Sequence, residues 1–381
     1  KADRRELAMK MFPAMKKEMV FADWREFVAL GKVADAVIIA TMENLHEPIA
    51  VACAELGYHI LLEKPMAPTA QACRNIVAAA KKAGVIFAVC HELRYAPFYQ
   101  KIRSIIAGGT LGEIVHIQHA EDVSYWHFSH SFVRGHNRNS KQTSFSLLSK
   151  SCHDVDIIRF LMGRRCLSVQ SFGGLMHFTK SAKPVAAGDA ARCTDCQFEP
   201  QCPFSAVKIY IHQGVNIGAD AMPGESISRK FSTDELWKVL RTGPMGRCVY
   251  ECDNDVADHQ IVNFSYDGGR TASFTMSGFT EGGRVTSVHG TKGILRGELT
   301  KAVLRRYDFL TDKWHDESIT DEAAKGGHGG GDAVLMQQWL DAIASGDQSK
   351  LITGPDETLE THLATFAAEQ SRLDGEVKPI A

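Results

Sequence analysis

The chain reads as an α/β protein in two parts, a parallel-sheet domain followed by an α+β domain built on an open antiparallel sheet. Three observations predict this. Between residues 34 and 90, short runs of apolar and β-branched residues alternate with helical stretches, the pattern of βαβ units with right-handed crossovers. Beyond residue 260 the strand-like segments instead alternate apolar and polar residues, which suits a sheet with one face on a core and the other toward water. At 381 residues the chain is also too long for one small core.

Taken in order, residues 1–11 are helical, and Val20–Asp23 is a short strand before a helix over 24–30. Residues 34–40 form a nearly continuous apolar run that fits a strand buried on both faces, ending at Thr41. Asn44 to His46 lead into a helix over 48–56, which Gly57 stops. The next strand, 58–62, runs into Glu63-Lys64-Pro65. A lysine at the carboxyl end of a core strand does little for stability, but ligands of open α/β sheets sit outside those ends. The plainer alternative is a solvated lysine with a packed stem. A helix over 70–83 and a strand over 85–90 complete the pattern.

After residue 95 the texture changes. Pro97 opens a helix to 107, and a strand follows over 114–120. Val262, Phe264 and Tyr266 share one face, Asp267-Gly268-Gly269 turns the chain, and Ala272, Phe274 and Met276 repeat the pattern, so a hairpin is predicted. Further hairpin-like segments lie at 285–289, 294–298, 303–309 and 314–319. Two helices follow, 333–344 with Asp332 as its cap, and 356–373. The stretch 180–224, with glycines, prolines and a cysteine cluster, reads as a long excursion from the second domain.

Bulk properties exclude several function classes. A 44% hydrophobic, 23% charged chain with net charge −2 lacks the basic excess of a nucleic-acid or membrane-surface partner. No apolar run approaches the roughly 20 residues that span a bilayer. The charged start, Lys1-Ala2-Asp3-Arg4-Arg5, carries no secretory signal. Ten cysteines in this length read as reduced thiols and not a disulfide framework, so a cytoplasmic location is expected. The first residue is Lys and no G-x-G-x-x-G turn precedes Glu63. The first βα unit of a dinucleotide site, with its phosphate turn and ribose-reading acid, is therefore expected upstream of this chain.

An ordered set of motifs now comes together: Val37-Ile38-Ile39-Ala40-Thr41 with His46, Glu63-Lys64-Pro65, Leu93-Arg94-Tyr95, Thr110-Leu111-Gly112-Glu113-Ile114, Ser151-Cys152-His153-Asp154-Val155-Asp156, and His289-Gly290-Thr291-Lys292-Gly293. Over nearly its whole length the chain resembles the Gfo/Idh/MocA family of NAD(P)-dependent oxidoreductases. The resemblance implies an N-terminally truncated Rossmann domain over 1–93 that binds NAD or NADP. It implies a second domain over 94–381 that supplies the substrate pocket and forms a homo-oligomer through its sheet. Thr41, Asn44, His46, Glu63, Lys64 and Arg94 match its cofactor-contacting positions. Thr41 and Asn44 can equally cap the following helix.

His153 is the acid/base candidate. Removing hydride from a secondary alcohol requires a group to take the hydroxyl proton, and imidazole titrates near the working pH. Lys64 is assigned to the same oxygen, where it stabilises developing negative charge. The commoner family pattern is Asp-x-x-x-His, and here Ser149 occupies the Asp position. Serine cannot carry that charge, and Lys150 beside it cannot stand in for a carboxylate.

The substrate side is assigned to the aromatic and polar run holding Trp126, His127 and Arg134, with Lys150, Asp156 and His259. Packed aromatics and a solvated loop are the alternatives. Cys193-x2-Cys196-x5-Cys202-Pro203 has spacing suited to a structural zinc, and a Cys-Pro pair also occurs in iron–sulfur runs. The fourth ligand is left among Cys166, Cys248, Cys252 and His212, and simple packing of thiols is the alternative to any metal.

The function that follows is hydride transfer between a nicotinamide cofactor and a sugar, cyclitol or related polyhydroxy compound. The alternatives are an NAD-using glycosidase that oxidises its sugar transiently, and a non-catalytic dinucleotide-binding regulator.

Overall fold

The apolar runs at the start of the chain become β1 (Ala36–Ile39), β2 (His59–Leu62) and β3 (Phe87–Val89), a parallel sheet in that order. The computed structural model describes residues 2–213, 227, 232–319 and 327–380. They fall into two units, Lys1–Cys90 with Leu335–Leu359, and His91–Val334 with Glu360–Ala381.

In the first unit the register aligns Ile39 with Leu62 and Leu62 with Val89, so all three strands end on one edge. Ile60, Leu61, Leu62, Phe87, Ala88 and Val89 are almost wholly buried, as a strand covered on both faces requires. Each large side chain among them contributes about 1.5–3 kcal/mol by leaving water. The crossovers are the helices His46–Glu55 and Ala70–Ala83. Thr69 Oγ1 caps the second, accepting from Ala72 N at 3.2 Å, and Gly84 at φ +65° ends it in the left-handed region.

The strand expected at Val20–Asp23 does not form. Asp23 instead caps the short helix Trp24–Val28, its carboxylate accepting from Arg25 N at 2.9 Å. Residues 335–359, placed with the second domain by the sequence reading, pack here. Gln348 accepts from Phe87 N at 2.8 Å and donates to Phe87 O at 3.0 Å, completing the ladder at the free edge of β3, while Lys81 pairs with Asp356.

The second unit is built on β4 (Ile114–Ser124), β5 (Cys166–Gly174), β6 (His259–Tyr266), β7 (Arg270–Thr280), β8 (Gly283–Gly290), β9 (Gly293–Glu298), β10 (Val303–Asp308), β11 (Lys313–Asp316) and β12 (Lys378–Pro379). Among the described residues they form one sheet, ordered β11-β10-β9-β8-β4-β7-β6-β5-β12. The hairpin at Asp267-Gly268-Gly269 forms as the alternation predicts, with Val262, Phe264, Tyr266, Ala272, Phe274 and Met276 buried.

The sheet is mixed where the reading expects antiparallel pairing throughout: β4 and β7 run parallel. The segment between them, 125–269, is long enough for the crossover that a parallel pair needs.

The helix Ser146–Met162 packs on this sheet, and only Lys150, Arg159 and Phe160 of its 17 residues escape burial. It is buried nearly all round, so its polar residues are carried into the interior. The excursion begins as short turns around a second, smaller core of Ala206, Val207, Ile209, Tyr210, Leu236 and Leu240. Residues 214–224 of the expected excursion lie outside the described residues.

Candidate active site

At the carboxyl edge of the first sheet, Glu63 N donates to Ile39 O at 2.9 Å, which sets the Glu-Lys-Pro turn beside the end of β1. Lys64 N donates to Glu63 Oε2 at 3.2 Å, and the Lys64–Pro65 peptide is cis. Both Glu63 and Lys64 are partly buried.

His46 is buried. Its Nδ1 lies 3.0 Å from Pro65 O and 3.2 Å from Met66 O, and its Nε2 lies 3.1 Å from Thr41 O. One imidazole thus ties the Thr41 loop to the lysine-bearing turn, which is a positioning role. Thr41 and Asn44 are exposed, and neither caps the next helix: its N-cap is Leu45, with no side-chain cap bond.

In the second unit, His153 sits on the buried helix with Glu92 Oε2 3.7 Å from its Nδ1. His91 and His328 flank it, with ring centroids at 5.7 Å and 5.3 Å, and His362 stands 5.4 Å beyond His91. The row runs from a fully buried ring to His328, whose side chain is 40% exposed and whose Nδ1 lies 2.8 Å from the accepting Asp332 Oδ1. Glu92, His153 and His328 bring one ligand atom each within 4.8 Å of one another.

The glycine run that carries His328 has a geometric reason. A Cβ at Gly331 would stand 2.1 Å from Glu92 O, and His328 itself lies at φ +49° next to Gly329 at +65°. Sequence reasoning missed Glu92, His91 and His328. Adjacency to Leu93-Arg94-Tyr95 and the glycine-flanked His328 were the available signals.

Asp156 and Arg94, assigned above to substrate and cofactor, are paired with each other. Arg94 Nε donates to Asp156 Oδ2 at 2.6 Å and Nη2 to Oδ1 at 2.7 Å, with both side chains buried. Burial would raise the Asp156 carboxyl, but the Arg94 charge and hydrogen bond overcome it and hold the group below its ordinary value.

Lys150 likewise has a partner, Glu121 Oε1 at 2.9 Å. Glu121 in turn pairs with Arg284 at 2.6 Å, and Arg284 with Asp154 at 2.7 Å. His119 Nε2 completes this network 3.0 Å from Asp154 Oδ1. Burial disfavours the Asp154 anion, yet Arg284 and His119 keep its carboxyl well below the usual range. Ser149 Oγ donates back to Phe145 O at 3.2 Å, as a serine within a helix commonly does.

His259 stays half-exposed and meets Asp258 Oδ1 at 2.8 Å, while Asp258 Oδ2 accepts from Met176 N and His177 N. Trp126 stacks on His127 at 5.5 Å and packs against the smaller core. Arg134 is not on the same surface as these aromatics. It is buried and donates to Arg247 O and Phe204 O, both at 2.7 Å, and to Cys193 Sγ at 3.5 Å. Of the four options for a fourth thiol or imidazole, Cys248 lines the same cavity as Cys193, Cys196 and Cys202.

No helix among the described residues is long and apolar enough to cross a membrane. A profile described as oxidoreductase family, NAD-binding Rossmann fold, matches residues 3–91. Its companion, the C-terminal alpha/beta domain of that family, matches residues 103–378.

The oxidoreductase YteT of Bacillus subtilis is 24% identical over 355 residues, 88% of this chain and 79% of YteT. The 1,5-anhydro-D-fructose reductase of Ensifer adhaerens is 31% identical over 34% of this chain, and inositol 2-dehydrogenase 1 of Saccharopolyspora erythraea is 29% identical over 40%. Those two matches span 38% and 41% of the relatives' own lengths. Levoglucosan dehydrogenase, solved with NADH and levoglucosan, superposes with a TM-score of 0.66 at 17% identity, over 94% of this chain and 83% of that one, a likeness of fold. With the two family profiles covering both halves in order, the chain belongs to the Gfo/Idh/MocA family of NAD-binding oxidoreductases.

Proposed function

We propose that this chain catalyses hydride transfer between NAD or NADP and a hydroxyl-bearing carbon of a sugar, cyclitol or anhydrosugar. The observation that carries the reading is a buried imidazole, His153, with a carboxylate 3.7 Å from its Nδ1. When an alcohol is oxidised its carbon loses hydride and its oxygen loses a proton, and His153 is the group assigned to that proton. Glu92 favours the imidazolium that results, the part a carboxylate at position 149 would otherwise play. His328, half-exposed at the end of the histidine row, offers the proton a way to solvent.

The first unit supplies a fit for the cofactor. Its parallel strands deliver Thr41 and Glu63-Lys64 to one edge, the edge where ligands of such sheets bind, and His46 holds the two loops together. When bound there, a nicotinamide cofactor would supply the hydride acceptor or donor. Lys64 is assigned to the reacting oxygen, where its ammonium stabilises negative charge. The polyhydroxy substrate class is supported by the names of the reductase and inositol dehydrogenase relatives.

The test is a panel of inositols, levoglucosan and 1,5-anhydro sugars with NAD and NADP, read by absorbance of reduced cofactor. Turnover that disappears in Lys64→Ala is expected. An intact protein that binds neither cofactor, or a Lys64→Ala variant that turns over normally, sinks the reading.

The reading includes a homo-oligomer joined through the outer face of the mixed sheet. Leu167, Phe172, Ile261 and Val285 stand there 41–48% exposed, an apolar set that a partner sheet would cover. Light scattering at micromolar concentration should return the mass of two or more chains. A single-chain mass would remove this part of the proposal.

A further inference from the structure

Glu92, His153 and His328 come from three separate stretches of the second unit, and one ligand atom from each lies within 4.8 Å of the other two. Within the trio, Glu92 Oε2 stands 3.7 Å from His153 Nδ1. Two imidazoles and a carboxylate are the donor set of three-ligand zinc sites that keep a fourth position open. Donor atoms about 2.1 Å from one zinc in a tetrahedron stand roughly 3.4 Å apart, so side-chain movements of about an ångström close the trio on an ion.

The loop is built to bring the third member in. His328 has a left-handed backbone, φ +49°, and a Cβ at nearby Gly331 would meet Glu92 O at 2.1 Å. The chain that carries His328 is thereby pressed against the chain that carries Glu92. Asp332 Oδ1 lies 2.8 Å from His328 Nδ1. A carboxylate on one imidazole nitrogen fixes the ring and its tautomer and leaves the other nitrogen to ligate, the usual support of a metal-bound histidine.

Access and charge agree with this. His153 and Glu92 are buried, while half-exposed His328 opens the trio to solvent, so an ion can enter from outside and be held at the buried end. Glu92 and Asp332 bring two carboxylates to a divalent ion, and the guanidinium of Arg94, two residues from Glu92, is already paired with Asp156.

We infer that Glu92, His153 and His328 bind one divalent ion of the zinc type, and that this ion switches the enzyme off. The binding stands on the geometry; the inhibition rests on the reading that His153 accepts the substrate proton. Zinc takes the nitrogen lone pair that the proton would take. It also engages the carboxylate that favours the imidazolium, and it occupies the histidine through which the proton would leave. No substrate bond is made or broken by the ion, and a chelator that removes it returns the lone pair.

The full chain is stripped with a chelator and titrated with cobalt(II), a coloured stand-in, and zinc competition then gives the affinity. The expected result is one cobalt with visible d–d bands at a site of nitrogen and oxygen donors. His328→Asn and Glu92→Gln should lose those bands, and Cys196→Ser should keep them. Asn adopts the left-handed backbone readily, so His328→Asn should fold, and circular dichroism checks each variant. Asp332→Asn should weaken binding about 10–100-fold. In the turnover assay, zinc should inhibit the wild type at the concentrations at which it binds, and chelator should reverse the effect. Relative to its own uninhibited rate, His328→Asn should resist zinc. Absence of the bands in the wild type, their survival in both His328→Asn and Glu92→Gln, or their loss in Cys196→Ser overturns the site. Zinc that binds but leaves turnover unchanged, or raises it, overturns the inhibition. The cobalt titration reads no turnover, so its failure is separable from failure of the hydride-transfer reading.

Discussion

His153→Asn should lower kcat by about 10²–10⁴-fold, the usual contribution of a positioned acid/base group, with little change in cofactor binding. Asparagine keeps the polarity and approximate volume of the ring, so the buried helix Ser146–Met162 should stay folded. The same reasoning assigns a smaller part to Glu92. Glu92→Gln preserves shape and removes the charge 3.7 Å from Nδ1, so kcat should fall by roughly 10–100-fold while KM changes little.

Added imidazole should restore part of the activity of a His153→Gly variant, a rescue that a structural histidine would not show. Steady-state kinetics with cofactor fluorescence as the binding control checks all three variants. A His153→Asn enzyme with unchanged kcat would move the acid/base role elsewhere.

Asp156→Ala should destabilise the second unit by about 3–5 kcal/mol, because it removes the carboxylate that accepts two hydrogen bonds from the buried Arg94 guanidinium. Denaturant titration followed in the second unit reads this directly. Replacing both partners, Arg94→Met with Asp156→Leu, should recover much of the loss, since desolvation of two charges is then avoided.

The pair also makes stability depend on pH. The Asp156 carboxyl is lower in the folded protein than in the unfolded chain, so its contribution is complete above the ordinary Asp value of about 3.9. It is lost progressively as pH falls below that value toward the lowered folded one. Near neutral pH this group should produce no stability change. An Asp156→Ala protein of wild-type stability with a raised substrate KM would return the residue to the substrate pocket.

Several residues show why site chemistry was only partly legible. Lys64 and His153 could be singled out because each falls in an ordered motif. Asp156 and Arg94 were equally conspicuous in that list, yet each is the other's partner. A motif marks a residue without saying what lies opposite it. Arg134 was drawn to the substrate side by its aromatic neighbours in sequence, and the fold turns it inward to the cysteines. Glu92 was overlooked because its relation to His153 spans about sixty residues and depends on how the buried helix docks.

By itself the sequence determined the strand and helix alternation, the hairpin at Asp267-Gly268-Gly269, and the membership that ordered motifs carry. These depend on local periodicity, turn chemistry and spacing, all of which operate between near neighbours in the chain. Tertiary structure alone decided the parallel pairing of β4 with β7 and the return of residues 335–359 to the first unit. It also decided the carboxylate beside His153, and Cys248 as the fourth thiol around Arg134. Each of these joins groups far apart in sequence, and a buried charge or unsatisfied donor selects its partner by proximity in space, which no local pattern encodes.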